Sequence, residues 1–370
     1  MATTAYGVND ALTVKVWAKK LFVEALKATW VGKFIGDSNA VIERKDDLSQ
    51  SAGDRITVGL RMQMTGAGIQ GDGTLEGNEE ALVTYSDNVL INQLRHATRS
   101  QGKMAQQRVP FSIRNEGMAG LRDWTADRWD AWFFNQVCGF TAQSDTRFTG
   151  NNSTIAPDSA HLIVAGGTTV AATETSLSAT TTAYLSLTDI DRAVTIAKSF
   201  GRYGDYTGSV PMRPVMVGGE EKYVMFLHPY QTRLLRTNTS TGQWLDIQKA
   251  AMTGGQVSNN PIYTGALGEY NGVVLHESAR VTPTVTYAGG TYSLGAQATY
   301  YRAVMCGAQA ASIAFGQDQA TGLSGSWTEE LFDYGNQLGI AAGFVAGLKK
   351  MQFNSLDFST LVVASYAPAP

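Results

Sequence analysis

Residues 64 to 80 read MTGAGIQGDGTLEGNEE. Gly66, Gly68 and Gly71 spell G-x-G-x-x-G, and Asp87 follows where a dinucleotide-binding domain places its ribose carboxylate. The flanks decide the fold. A Rossmann fingerprint takes a strand before the glycines and a helix opening at the third one, whose free N–H groups hold the pyrophosphate. The strand is there: Ile56, Val58, Leu60, Met62 and Met64 alternate with Thr57, Gly59, Arg61 and Gln63. The helix is not. Gly73 and Gly77 follow closely, and each glycine costs a helix about 1 kcal/mol relative to alanine. Beyond them period two returns, with Val83, Tyr85, Val89 and Ile91 on one face and Thr84, Ser86, Asn88 and Asn92 on the other. The segment reads strand, long glycine tip, strand. It predicts an extended β-hairpin with no nucleotide cofactor.

The rest of the 370-residue chain fits a packed protein. Hydrophobic residues make up 44%, enough for a sizeable core, while charged residues make up only 16% against about 25% in average proteins. Small residues fill the difference, which suits extensive protein–protein contact. The net charge of −3 and the absence of any long Lys/Arg block argue against a dedicated nucleic-acid binder. Cys138 and Cys306 are far apart and form no C-x-x-C, so both are expected to be free thiols. MATTAYGVNDALTVKVW has no basic-then-apolar pattern, so no cleaved signal is expected. Leu338–Leu348 is too short for a membrane span, which needs about 20 residues.

Periodicity predicts an α+β chain with helices and strands in separate blocks. A helix is expected over residues 8–35, then a polar connecting arm over 37–54. The strongest helix runs from 108 to 140. Pro110 suits its first turn, and Gly139 closes it. Met118, Leu121, Trp124, Trp129 and Trp132 recur at helical spacing, so this helix is expected to be the structural spine. Residues 141–183 are rich in Thr, Ser and Gly and read as a surface insertion or a loop with short strands. A second helix spans Leu187–Phe200, capped by Ser186 or Thr188. A buried strand precedes Pro229, a helix follows over 230–252 and a loop over 253–265. The remainder is β-rich, with Asn271-Gly272 as a turn pair and a strand in Met351–Tyr366.

Catalytic and metal-ligating patterns are lacking. His96, His161, His228 and His276 sit in no ligand motif. His228, before Pro229, reads as a structural histidine. His276 adjoins Glu277, but neighbouring strand residues point to opposite faces. Asp123, Asp127 and Asp130 form a row on the spine helix. Arg122 and Arg128 are interleaved with them, so the row reads as a solvated or subunit-facing charge stripe rather than a cation site.

The order of parts resembles the HK97-like fold of tailed-phage major capsid proteins. The wording resembles the N4-like phage major capsid protein family. The match is carried by GDRITVGLRMQMTGAG (53–68), TLEGNEEAL (74–82), LRHATRSQGKMAQQRVPF (94–111), DWTADRWDAWFFNQ (123–136), GEYNGVVLHES (268–278) and GLKKMQFNSLDF (347–358). The resemblance implies an N-terminal arm (1–52), an extended hairpin or E-loop (53–103), a P-domain with the spine helix (104–143), a Thr/Ser/Gly-rich insertion (144–185), an A-domain (186–340) and a C-terminal return to the P-domain (341–370). It implies a shell subunit that forms hexamers and pentamers around double-stranded DNA, without sequence-specific binding, in a virion capsid assembled in the bacterial cytoplasm. Its implied partners are itself, a portal, a scaffolding protein and a decoration protein. No catalytic, cofactor or metal residues are implied. An encapsulin-type compartment and a nucleotide-binding enzyme are the competing classes. The scaffold is expected to be a separate protein, because no long charged helical extension precedes the arm. Met62, Met64, Gly66, Gly68 and Gly71 are the candidate inter-subunit residues, since a hairpin alone is marginal in water and its tip needs a second surface.

Ile56–Gly102 contains no lysine. The hairpin therefore supplies no amine for a covalent bond between subunits. Boiled particles should run on denaturing gels as single chains near 39.7 kDa; a ladder of cross-linked oligomers traced to this segment would contradict that.

Overall fold

In the computed structural model, two large sheets pack on one long helix. The structure describes residues 24–25, 29–46, 53–61, 64, 67–110, 112–167, 174–200, 212–238, 268–317 and 324–370. Met62, Gly66, the arm before residue 24 and the 253–265 segment lie outside them.

The long helix is Ile113–Val137. It is shorter than the sequence suggests, because Val109 is extended (φ −111°, ψ 139°) and ends a separate short helix, Lys103–Arg108. A residue before proline is pushed out of the helical region by the ring. Pro110 thus lies ahead of the N-cap, Ser112, rather than in the first turn. Gly139 closes the far end with φ 65°, and a Cβ there would sit 2.7 Å from the Ile155 carbonyl oxygen.

The first sheet is built on Gln337–Lys350. Asn92–Arg99 pairs antiparallel along one edge of this strand. Gly325–Phe332 and then Ala311–Phe315 pair along the other. Small residues allow this crowding: a Cβ on Gly347 would lie 1.9 Å from the Leu90 carbonyl oxygen. The apolar run Leu338–Leu348 is therefore a core strand, and the boundary drawn at 340/341 falls inside it. Ile42–Lys45 adds parallel to Ala311–Phe315, and Ile35–Gly36 adds to Ile42–Lys45. The segment read as a connecting arm, 37–54, thus contributes a sheet strand. Its polar sequence hid this, because only Ile42 of IERK is buried.

The second sheet runs Leu162–Val164, Thr360–Tyr366, Tyr300–Cys306, Glu220–Leu227, Val273–Glu277, Gly268–Tyr270. Its strands alternate between two cores, as a period of two requires. Val304, Cys306, Phe226, Val362 and Ala364 share a cluster with Phe133, Phe134 and Val137 of the spine helix. Ala303, Met305, Met225, Leu361 and Val363 face Ile190, Val194 and Ala197 of the helix Leu187–Ser199. That helix starts with a Ser186/Asp189 capping box, so Ser186 and not Thr188 is its cap.

Residues 144–185 follow the second of the two readings, a loop with a short strand, and part of the loop is buried. Leu162–Val164 is buried at the sheet's edge, and Leu177 and Ala183 join the core. Glu174 is 2% exposed and binds Arg302 through two bonds, Nε to Oε1 at 2.6 Å and Nη2 to Oε2 at 2.7 Å. Arg302 also donates from Nη1 to the carbonyls of Cys138 (3.0 Å) and Gly139 (2.5 Å), where the spine helix ends. A buried ion pair is tolerated when its remaining hydrogen-bonding capacity is met, and here one guanidinium ties strand, insertion and helix terminus together.

The arm is latched to the helix by Asp130. Its carboxylate is 4% exposed and accepts from Trp30 N (3.2 Å) and Val31 N (3.0 Å) at the start of the short 3-10 turn Val31–Phe34. Burial raises its pKa against the opposing pull of those two hydrogen bonds. Arg280 lies 2.5 Å from Asp127 and 3.7 Å from Asp130. The carboxylate row is therefore not a solvated stripe. Only Asp123 is exposed, and among the described residues no cluster of His, Cys, Asp or Glu could hold a metal. His276 sits under the arm, with Trp30, Phe34 and Phe226 around its ring and Lys33 close by.

Two outcomes follow from this packing. Trp129 is 2% exposed and touches Phe315 and Phe344. Trp129→Ala should cost about 3–5 kcal/mol by urea denaturation and abolish particles; normal particles would contradict this. Burial, with Lys33, lowers the His276 pKa from 6.5 to about 4. The unfolded chain then binds the proton more readily than the folded one. The neutral ring's contribution is complete above pH 6.5 and is lost as pH falls toward the folded value. The denaturation midpoint should drop between about pH 7 and about pH 5, and less so in His276→Leu. An equal drop in both would refute the assignment.

Candidate assembly interface

The hairpin has a fixed root and an exposed tip. Arg55–Arg61 pairs antiparallel with Thr84–Leu90. Ile56 and Val58, each 5% exposed, join Val89, Ala314, Met351, Phe353 and Phe358 in a cluster of their own, with Leu60 packed against it. The apolar row is thus covered at its root by this same chain. Four of the covering residues, Ala314, Met351, Phe353 and Phe358, lie more than 200 positions away, so strand periodicity gave no sign of them.

Polar groups lock the root further. Asn152 donates from Nδ2 to the carbonyls of Leu90 (3.0 Å) and Leu348 (3.2 Å), and its Oδ1 accepts from Leu90 N (2.9 Å). One buried side-chain amide therefore staples hairpin to sheet. Asp87 accepts from Gln352 N (3.0 Å) and pairs with Lys349. The residue spaced as a ribose carboxylate is a structural anchor.

Beyond the root the chain is open. Met64 is 55% exposed, and every residue from 67 to 83 is exposed. Gly68 (φ 71°), Gly71 (φ 63°) and Gly77 (φ 88°) take the left-handed conformation, and nothing lies within 4 Å of a Cβ built on any of them. Their conformation requires glycine; crowding does not. No helix opens at Gly71; the next regular element is Thr84–Leu90. The tip also exposes Ile69 (41%), Leu75 (63%), Leu82 (57%) and Val83 (46%). No described residue of the chain covers them.

The spine tryptophans divide. Trp129 and Trp132 are buried, whereas Trp124 is half-buried and stacks on His96 with ring centroids 4.8 Å apart. The other histidines are structural. His228 caps the helix Pro229–Thr237, accepts from Tyr230 N at 3.3 Å and stacks on Tyr301 at 3.8 Å; burial lowers its pKa to about 4. His161 lies 2.8 Å from the Asp158 carboxylate. Glu277 is exposed while His276 is tucked under the arm, so the two do not form an acid–base pair. Cys138 and Cys306 are buried free thiols.

A single family model, described as phage capsid protein, matches residues 4–369. The chain is 28% identical to the major capsid protein of Pseudomonas phage KPP25 over 373 aligned residues, 92% of this chain and 90% of that one. Among solved structures it is similar to the capsid of Ralstonia phage GP4, with 34% identity, a TM-score of 0.75 and coverage of 100% and 96% of the two chains. It also shares its fold with a chain of the cyanophage Pam1 capsid, at 18% identity and a TM-score of 0.71 over 93% and 94%. The architecture is thus the HK97-like capsid fold. With a family match along nearly its whole length and capsid relatives that cover it end to end, the chain belongs to the phage capsid protein family and serves as the major capsid protein of a phage shell.

Proposed function

We propose that this chain forms hexamers and pentamers of an icosahedral shell around double-stranded DNA in an N4-like tailed phage. In this reading the shell begins as a precursor built with a portal and a separate scaffolding protein, and a decoration protein can bind outside. Met62, Met64, Gly66, Gly68 and Gly71 belong to a tip that packs on a neighbouring subunit. One observation carries the proposal: a hairpin whose root is stapled into its own core while the described residues of its tip stay exposed, Met64, Ile69, Leu75, Leu82 and Val83 among them. Positive-φ glycines let that tip adapt to the slightly different angles of five- and six-fold rings. The family is structural, and the relatives described above are phage capsids, which favours this reading over an encapsulin compartment or a nucleotide-binding enzyme.

Replacing Gly66–Gly77 with an Asn-Gly turn tests it. The variant should remain folded and of capsomer size but fail to close shells in electron micrographs. Hydrogen exchange should find the wild-type tip fast in free subunits and protected in particles. Equal exchange in both states would overturn the proposal.

A further inference from the structure

Lys350 ends the strand Gln337–Lys350, and Asp357 faces it across a tight hairpin. Gln352–Phe353 pairs antiparallel with Leu356–Asp357. The two residues between them, Asn354 (φ 54°) and Ser355 (φ 62°), both take the left-handed conformation that a two-residue hairpin turn of this type requires. Phe358 N donates to the Met351 carbonyl at 3.0 Å, which extends the pairing toward Lys350. The backbone thus fixes the register that brings Lys350 and Asp357 together.

Their side chains meet out of reach of water. Lys350 and Asp357 are 2% and 1% exposed at the side chain. Lys350 Nζ stands 2.8 Å from each of the two carboxylate oxygens, so it faces Cγ. Gln352 Nε2 donates to Oδ1 of the same carboxylate at 2.7 Å, and the Ile155 carbonyl accepts from Nζ at 3.1 Å. The backbone of Asp357 is held as well, its N–H donating to Asp158 Oδ2 at 2.7 Å. The neighbouring positions Met351, Phe353 and Phe358 are buried. Lys349 pairs with Asp87 in a wetter setting, at 16% and 11% exposure, which sets the Lys350 pair apart.

We propose that Lys350 and Asp357 condense within one chain, joining Nζ to Cγ in an amide. A proton passes from the ammonium to the carboxylate inside the ion pair, leaving a neutral amine and a neutral acid. The Nζ lone pair then forms the bond to Cγ. Negative charge develops on Oδ1, where the Gln352 N–H already points. Oδ2 leaves as water, carrying two of the three ammonium protons. The amide keeps the third, with the Ile155 carbonyl as its acceptor. Atoms and charge balance with no other reactant. A buried ion pair carries a desolvation cost that its attraction offsets only with good geometry, and condensation removes both charges. Fixed contact between the reacting groups lowers the barrier, and the apolar surroundings exclude the water that would reverse the step. The product is a covalent ring over residues 350–357. It holds Met351 and Phe353, which pack with Ile56 and Val58 at the hairpin root, and it joins no two chains.

Mass spectrometry of the purified full chain in denaturant tests this, whether or not the chain builds a shell. The wild type should be lighter than its sequence by one water, and the loss should map to a proteolytic peptide that holds both residues. In the denatured chain Lys350 should resist acetylation while Lys349 accepts it. Lys350→Met and Asp357→Ala should each show no loss of water. In cell-free synthesis followed by mass, Gln352→Leu should slow ring closure at least about ten-fold, as removal of one donor to a developing oxyanion does. A wild-type peptide at full mass, or a Lys350 that acetylates in denaturant, overturns the inference. Closure of Gln352→Leu at the wild-type rate overturns the role of its amide. If a variant fails to fold, the wild-type peptide mass and the acetylation of Lys350 decide alone.

Discussion

Trp129 and Trp132 press on Phe344 of one sheet, and adjacent positions of the same helix, Phe133 and Phe134, meet Phe226 of the other. The helix is therefore buried on two sides by two sheets that share no strand. Large rings supply the area this requires, since each aromatic side chain buries about 150–250 Å². This helix and the polar links around it hold the two sheets in relation. Arg302 fixes its last carbonyls, Asp130 fixes the arm across its middle, and Gln136 donates from Nε2 to the carbonyls of Thr149 and Asn152. The position of Asn152, and so of the hairpin root, follows from the helix as well.

Much of this was legible in the sequence. The hairpin, the spine helix, the capped helix Leu187–Ser199 and the buried strands before Pro229 and at the C-terminal end all announce themselves by local periodicity and turn chemistry. What stayed hidden depends on distant partners. Ile42–Lys45 is a strand because Ala311–Phe315 lies beside it, and IERK carries no alternation strong enough to say so. Residues 144–185 look like surface because they are poor in large apolar groups, yet Glu174 is buried to meet Arg302, 128 positions on.

The site shows the same division. Its exposed glycine tip was readable from the missing helix after Gly71. Its fixed root was not, because Asn152 and Asp87 act through backbone and side-chain groups far along the chain. Asp130 was visible as a carboxylate on a helix, but its role as an arm latch needs the fold, since spacing along one helix does not show what crosses it.

The dependence of the second sheet on its last strand has a consequence for synthesis. Thr360–Tyr366 lies between Tyr300–Cys306 and Leu162–Val164, so neither neighbour is fully paired until residues 360–366 are made. Contacts this remote slow folding, because the loop between partners must close before they reward it. A chain still on the ribosome keeps an open sheet edge and an incomplete core. A prematurely terminated product lacks the strand that joins the edge to the centre. Closure of this sheet thereby waits on synthesis through Tyr366, and Leu361 and Val363 complete the second core only when that strand docks.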